Sequence, residues 1–423
     1  MQDIHVFTSA ACNYVPKVRT LIDSIRRHHP TWRVHLALAD ELPPDVSMAS
    51  ERIDEVHPVA ELGIPEWLGW SFCHSIVELS TAIKPFLLLQ LLARPGCKGV
   101  IYLDPDTVLF SPLSEVEAAL EKASVALTPH LVDPDQSVEA VMDNEIAALK
   151  HGTYNLGFLA VAPTEEGTRF AKWWADRIYR FCRADIPNGL FTDQRWVDLA
   201  PAMFADVGIL RSRRLNVATW NVTTRRVTGV VPDSVHVDGQ PLGFYHFTGF
   251  DSGAHKAMAW KNAGDQPVVG ELIRWYQAEL AKSEDDPLCN VPWAFGSFDD
   301  GTEIPRALRV MYRDRVDLQR AFPDPFHTSG GGLKGWWDTQ GRVEYPGLFD
   351  PATHDATLLA LTRKLTPGFV GSGAPPVPVR GLRDRLRRTV GDSAYREQVI
   401  ARLWGALRGQ GQSDVVRSMR RPS

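Results

Sequence analysis

Two carboxylates one residue apart, Asp104 and Asp106, follow directly on an apolar run, Gly99 to Leu103, and precede another, Thr107 to Phe110. Side chains in such a turn can both face one divalent cation, and the carboxyl end of a buried strand is where open α/β sheets bind their ligands. A cation held there neutralises the charge that develops on a departing diphosphate, which is what transfer from a nucleotide-activated sugar requires. The tripeptide alone says little, because Asp133-Pro134-Asp135 repeats it. Context separates the two copies: Asp133 follows only His130-Leu131-Val132 and precedes a polar, acidic stretch, the setting of a proline-set surface turn. His246, inside the apolar run Gly243 to Phe250 (GFYHFTGF), is the candidate third ligand, although a lone histidine in a strand is more often a satisfied core residue.

The elements that must position these side chains read as an α/β domain with a mainly parallel sheet flanked by helices. Strands are predicted over Asp3–Ser9, Arg33–Leu38, Val56–Val59, Gly99–Leu103, Val125–Thr128, Asn155–Val161 and Gly243–Phe250. Helices are predicted over Val15–His28, Thr81–Ala93 with Pro85 in its first turn, Glu165–Phe181, Asp193–Phe204, Val268–Lys282 and Pro305–Arg313. The acidic turn Ser283–Pro287 marks a boundary. The chain then divides into a catalytic domain over 1–284, an extension over 285–370 that serves as an acceptor or packing unit, and a Pro/Gly linker with a basic helical tail over 371–423.

A chain of 423 residues with 44% hydrophobic and 23% charged content is an ordinary globular composition. Its net charge of -5 conceals an asymmetry: eleven Arg against four acids make residues 380–423 +7, leaving -12 elsewhere. An acidic body without a basic stripe excludes nucleic acid as a partner, whereas the tail suits either peripheral contact with an anionic membrane or a solvated helix. Five scattered cysteines without a CxxC pair argue against a disulfide framework or a structural zinc site. With no signal-like or membrane-spanning stretch, a cytoplasmic location is expected, at most peripheral to the inner face of the membrane.

Five stretches in order over roughly residues 1–260 resemble the retaining glycosyltransferases of family eight and their GT-A fold relatives. Phe7–Tyr14 (FTSAACNY) is similar to the strand and loop that hold the nucleotide base, which implies roles for Thr8, Asn13 and Tyr14. Lys84 stands where the family has a donor-reaching Arg, and IYLDPD resembles its metal motif. Tyr154–Gly157 (YNLG) resembles the Asn-x-Gly element beside the donor sugar, implicating Asn155 and Gly157. Asp193-Gln194 resembles the pair near the anomeric carbon, followed by a Trp-Asn step at Trp220-Asn221. His246-Phe247-Thr248-Gly249 resembles the His-Phe-x-Gly that completes the metal site, which brings in His246 and Gly249. The sequence departs from the family where Ala11 and Cys12 replace an acidic residue, where Arg195 ends the Asp-Gln-Asp pattern, and where a Lys-Pro-Trp is missing, with Lys256 a more distant substitute for the diphosphate contact. Pro292–Phe326 looks like an extension of bacterial sugar transferases that build surface polysaccharides, and its Trp293, Phe295 and Phe298 read as core more readily than as an acceptor platform.

The resemblance implies a nucleotide-sugar donor, with a UDP-sugar favoured, a glycan or lipid-linked acceptor, and Mn²⁺ or Mg²⁺ on Asp104, Asp106 and His246. Asp193 and Gln194 would face the reacting sugar with retention of configuration. The competing readings are a non-catalytic carbohydrate-binding or scaffolding protein on the same fold, and a sugar nucleotidyltransferase. The latter lacks its glycine-rich phosphate loop here, since Thr8–Tyr14 contains no glycine.

Overall fold

A computed structural model of the protein describes residues 3–44, 46–250 and 253–371. In chain order the strands are β1 (Asp3–Ala10), β2 (Arg33–Leu38), β3 (Glu55–Pro58), β4 (Cys97–Leu103), β5 (Thr107–Leu109), β6 (Val125–Pro129) and β7 (Tyr154–Val161). They continue as β8 (Ala184–Asp185), β9 (Leu190–Phe191), β10 (Val207–Ile209), β11 (Val227–Val230), β12 (Ser234–Val237), β13 (Gln240–Pro241) and β14 (Phe244–His246). A seven-stranded sheet runs β10-β6-β7-β4-β1-β2-β3. Its neighbours are parallel except β7, which lies antiparallel to both β4 and β6. The expected mixed, mainly parallel α/β architecture is therefore what the chain adopts.

Both faces of the sheet are buried, which is why its central strands read as continuous apolar runs; all eight residues of β7 are buried. One face packs on α1 (Val15–His28), whose Val15, Val18, Leu21, Ile22 and Ile25 recur at helical spacing and form its inner stripe. The other face packs on α2 (Trp67–Phe72), α3 (Ile76–Ala82), α4 (Lys84–Leu92) and the helix Glu165–Phe181. Phe295, Phe298, Leu308 and Tyr312 join that same core, and Trp293 donates its indole N–H to the carbonyl of Ala39 at 2.9 Å. The aromatic cluster of the extension is thus core. A third cluster gathers the small sheet β11-β12-β13 under the helix Pro267–Ala281.

Three predicted elements are divided or differ by more than two residues at an end; several others shift by one or two residues. The stretch Thr81–Ala93 is not one helix: α3 ends at Ala82 and α4 begins at Lys84, because Pro85 cannot donate into a preceding turn and starts a new helix instead. The span Asp193–Phe204 divides at Asp198-Leu199, just before Ala200-Pro201, into Gln194–Val197 and Ala200–Met203. Only Phe244–His246 of Gly243–Phe250 is strand, since Gly249 has a φ of 70°, a left-handed conformation in which the chain turns. All five cysteines are free, and three of them are buried. Among the described residues no helix is long and apolar enough to cross a membrane. The basic tail, residues 380–423, lies outside the described residues.

Candidate active site

The turn carrying Asp104 and Asp106 is held by backbone on three sides. β5 pairs antiparallel with β14 in a register that sets His246 opposite Thr107, one residue past Asp106. The N–H of Phe247 donates to the carbonyl of Asp106 at 2.8 Å, the N–H of Asp104 to Gly157 at 2.9 Å, and the Thr107 hydroxyl to the carbonyl of Asp104 at 2.7 Å. Three distant segments, 104–107, 155–157 and 244–247, are thereby fastened to one point at the carboxyl end of β4.

Hydrogen bonding there determines the tautomer of His246. The N–H of Gly157 donates to Asn155 Oδ1 at 3.1 Å, which identifies that atom as the amide oxygen. His246 Nδ1 lies 3.1 Å from the same oxygen and so carries the proton, leaving Nε2 as a lone pair. Nε2 is buried, has no aligned hydrogen-bond partner, and lies 3.1 Å from Asp106 Oδ1 and 3.7 Å from Asp104 Oδ2. Lone pairs facing carboxylate oxygens at these distances require a positive charge between them, either a proton or a cation. Without a cation, burial disfavours the imidazolium, but Asp106 and Asp104 outweigh it and the pKa of His246 is raised. Asp106 is correspondingly held low by His246 against the opposing effect of burial.

Lys84, almost fully buried in the first turn of α4, lies 3.2 Å from Asp104 Oδ1 and 3.2 Å from Asp193 Oδ2. Burial works against its charge, yet the two carboxylates outweigh that and hold its pKa well above the usual lysine range. Tyr102 donates its phenol to Asp104 Oδ1 at 2.5 Å, and Lys84 sits 4.2 Å over its ring. Burial, then the charge of Asp104, push that phenol well up, so it stays a donor. With a neutral His246, three carboxylates and one ammonium leave two negative charges uncompensated, a set that one divalent cation balances. Oxygen, oxygen and imidazole donors suit Mn²⁺ or Mg²⁺.

These groups open on a cavity of ≈ 760 Å³ lined by Asn13, Tyr14, Lys84, Asp104, Asp106, Asn155, Asp193, Gln194, His246 and Gly249. That is room for a bound organic ligand of several rings. Three other candidates do not line it. Thr8 is buried in β1, below the lining that begins at Ser9. Gly157 acts by its missing side chain: a Cβ there would stand 2.3 Å from His246 Cε1 and 2.7 Å from Asn155 Oδ1. Lys256 is exposed on the helix Ala254–Asn262, whose inner face is His255, Ala259 and Asn262. Gln194 is a brace as well as a lining residue: its Oε1 accepts from Leu156 N–H at 3.0 Å and its Nε2 donates to the carbonyl of His151 at 3.0 Å. Asp193 makes no side-chain capping bond to its helix and turns to Lys84 instead.

Sequence reasoning passed over Tyr102, His130, Thr192 and, as a lining residue, Trp220. Trp220 sets its edge against His246 at 5.5 Å and 85°, and His130 Nε2 accepts from Asn155 Nδ2 at 3.2 Å. Thr192 has a φ of 45°, an uncommon conformation for a β-branched residue and worth roughly 1–3 kcal/mol of strain. It aims the following Asp193 inward. No local signal marks any of these; only the phenol two residues before Asp104, on the same face of β4, was open to a period-two argument.

No protein-family profile matches the chain. YfnD of Bacillus subtilis (strain 168), an uncharacterised protein, is 25% identical over 311 residues, 71% of this chain and 95% of that one. YfnF of the same organism, likewise uncharacterised, is 27% identical over 202 residues, 47% of this chain and 66% of that one. Among solved structures, the galactosyltransferase LgtC is similar with a TM-score of 0.40 and 15% identity, covering 67% of this chain and 97% of its own. The glycosyltransferase GlyE of Streptococcus pneumoniae TIGR4 is similar with a TM-score of 0.31 and 13% identity, covering 51% of this chain and 47% of its own.

Proposed function

We propose that the protein is a metal-dependent glycosyltransferase that moves a sugar from a nucleotide diphosphate donor, UDP-sugar favoured, to a hydroxyl of a glycan or lipid-linked acceptor with retention of configuration. The observation that carries this reading is the buried Nε2 of His246, which has no aligned hydrogen-bond partner and lies 3.1 Å from Asp106 Oδ1 and 3.7 Å from Asp104 Oδ2. Asp104, Asp106 and His246 would hold Mn²⁺ or Mg²⁺, which when bound neutralises the charge of the departing diphosphate.

The chain's own groups do the rest. Asn13 and Tyr14, in the short 3-10 turn after β1, offer an amide and a ring to the base. Lys84 keeps a permanent positive charge beside the cleaving bond, preorganised by Asp104, Asp193 and the Tyr102 ring. Asp193 places a carboxylate where positive charge grows on the anomeric carbon as its bond to the phosphate oxygen breaks. Gln194 fixes Asn155, and Asn155 fixes His246. The acceptor oxygen then bonds to that carbon on the same face, and its proton passes to the departing phosphate oxygen. Val77, which lines the cavity, and Leu149, which follows the lining residue Ala148, are 68% and 73% exposed, an apolar rim that suits a lipid-linked acceptor.

The test is incubation with a panel of nucleotide sugars and Mn²⁺, measuring slow donor hydrolysis and, by calorimetry, nucleoside diphosphate binding. Metal-dependent release of one nucleoside diphosphate, abolished by EDTA and restored by Mn²⁺, is expected. Binding of free glycan with no nucleotide affinity would replace this reading with a carbohydrate-binding scaffold.

A further inference from the structure

At the other end of the same sheet three histidines stand in a row across β1, β2 and β3. His5 Nδ1 lies 2.9 Å from His35 Nε2, and His35 Nδ1 lies 3.1 Å from His57 Nε2. The parallel register sets His35 beside Glu55, and because side chains alternate along a strand, Glu55 and His57 project on the face of His35. His57 Nε2 is 3.8 Å from Glu55 Oε2, too long for a hydrogen bond. We propose that His35 Nδ1, His57 Nε2 and Glu55 form a second divalent-metal site, selective for an imidazole-preferring transition ion of the Zn²⁺ class and distinct from the Asp104 site.

Four observations converge. The three ligand atoms lie within 4.8 Å of one another. With Zn–N bonds of about 2.0 Å, the edge of a tetrahedron is about 3.3 Å, close to the observed separation of the two imidazole nitrogens. The outer groups are those that orient metal ligands: His5 accepts the remaining N–H of His35, and Arg94 grips both oxygens of Glu55 at 2.5 Å each. Burial keeps His35 near 3 and lowers His57 too, so both imidazoles are neutral and offer lone pairs at physiological pH. The Glu55 side chain, 35% exposed on the edge strand β3, leaves a path for the ion and room for water as the remaining ligand. Arg94 shares the one carboxylate, which disfavours an oxygen-seeking ion such as Mg²⁺ and leaves the selectivity among metals, though not all of the affinity, to the two imidazoles. The sites are well separated, since His5 precedes Ser9 of the cavity by four residues of extended strand, about 13 Å.

The experiment uses the full chain carrying Asp104→Asn and Asp106→Asn, so that the first site contributes nothing, and titrates it with Zn²⁺ by calorimetry and with Co²⁺ by visible absorption. One equivalent bound, with the intense Co²⁺ bands of a four-coordinate site, is expected. Adding His57→Gln should weaken binding about tenfold or more, with an unchanged circular dichroism spectrum. Should His57→Gln fail to fold, Glu55→Gln, on a partly exposed side chain, takes its place. Absence of Zn²⁺ binding in the starting variant, or binding indifferent to the added substitution, would overturn the site; neither result bears on the transferase reading.

Discussion

The tripeptide Asp-Pro-Asp occurs twice in this chain and meets two different fates. At 104–106 the carboxylates converge on His246 and Lys84 inside a cavity, and the backbone of the turn is tied to β14 and β7. At 133–135 they part: Asp133 pairs with Arg213, both about 40% exposed, while Asp135 accepts from the Asn144 side chain at 3.1 Å. The first copy is held in a geometry that leaves charge uncompensated; in the second each carboxylate has an ordinary neighbour, a guanidinium for Asp133 and an amide for Asp135. What distinguishes a site from a turn is the surrounding sheet, because strand register decides which remote side chains arrive.

The comparison can be broken most directly at the carboxylates. Asp104→Asn or Asp106→Asn should lower Mn²⁺-dependent donor turnover about a thousandfold, while Asp133→Asn and Asp135→Asn leave it at the wild-type rate. Equal losses in both pairs would erase the distinction. Stability offers the next contrast. Lys84→Met strands Asp193 as a buried, unpaired charge and should destabilise the protein by about 3–5 kcal/mol in urea unfolding. Arg213→Ala, at the solvent-screened second turn, should stay within about 1 kcal/mol.

Acid should act on the first turn's support through His255. His255 packs on Tyr245 and Phe247, the neighbours of His246, and burial holds its pKa near 4. The unfolded imidazole takes its proton near 6.5, so this contribution is intact above pH 6.5 and is lost as pH falls toward 4, by up to about 3 kcal/mol. Thermal melts between pH 7.5 and 4 should therefore fall more steeply for wild type than for His255→Gln. Finally, Gly157→Ala should push His246 off Asn155 and weaken Mn²⁺ binding about ten- to a hundredfold, the loss typical of an outer-shell defect, at a stability cost of about 1–3 kcal/mol from overpacking the buried strand.

Much of the fold was legible because local physics is strong there. The helix Val15–His28 and the strand Arg33–Leu38 occur with their predicted limits, since their apolar periods are uninterrupted. Failures came at prolines and glycines, where Pro85 and Pro201 divided predicted helices and Gly249 ended a predicted strand. Of the residues that line the candidate site, Asp104 and Asp106 were legible because two acids after a buried strand are unusual. His246, Asn155 and Asp193 were not distinguishable from core, turn and cap residues by their own surroundings.

Left to itself, the sequence determined the α/β alternation, the buried strand that ends at Leu103 and the acidic turn after it, because each depends on residues within a few positions of one another. The tertiary structure decided that Lys84 bridges Asp104 and Asp193, that Gly157 makes room for His246, and that His5, His35 and His57 stand in line. Those outcomes depend on strand order and register between segments far apart in the chain, which no local spacing encodes.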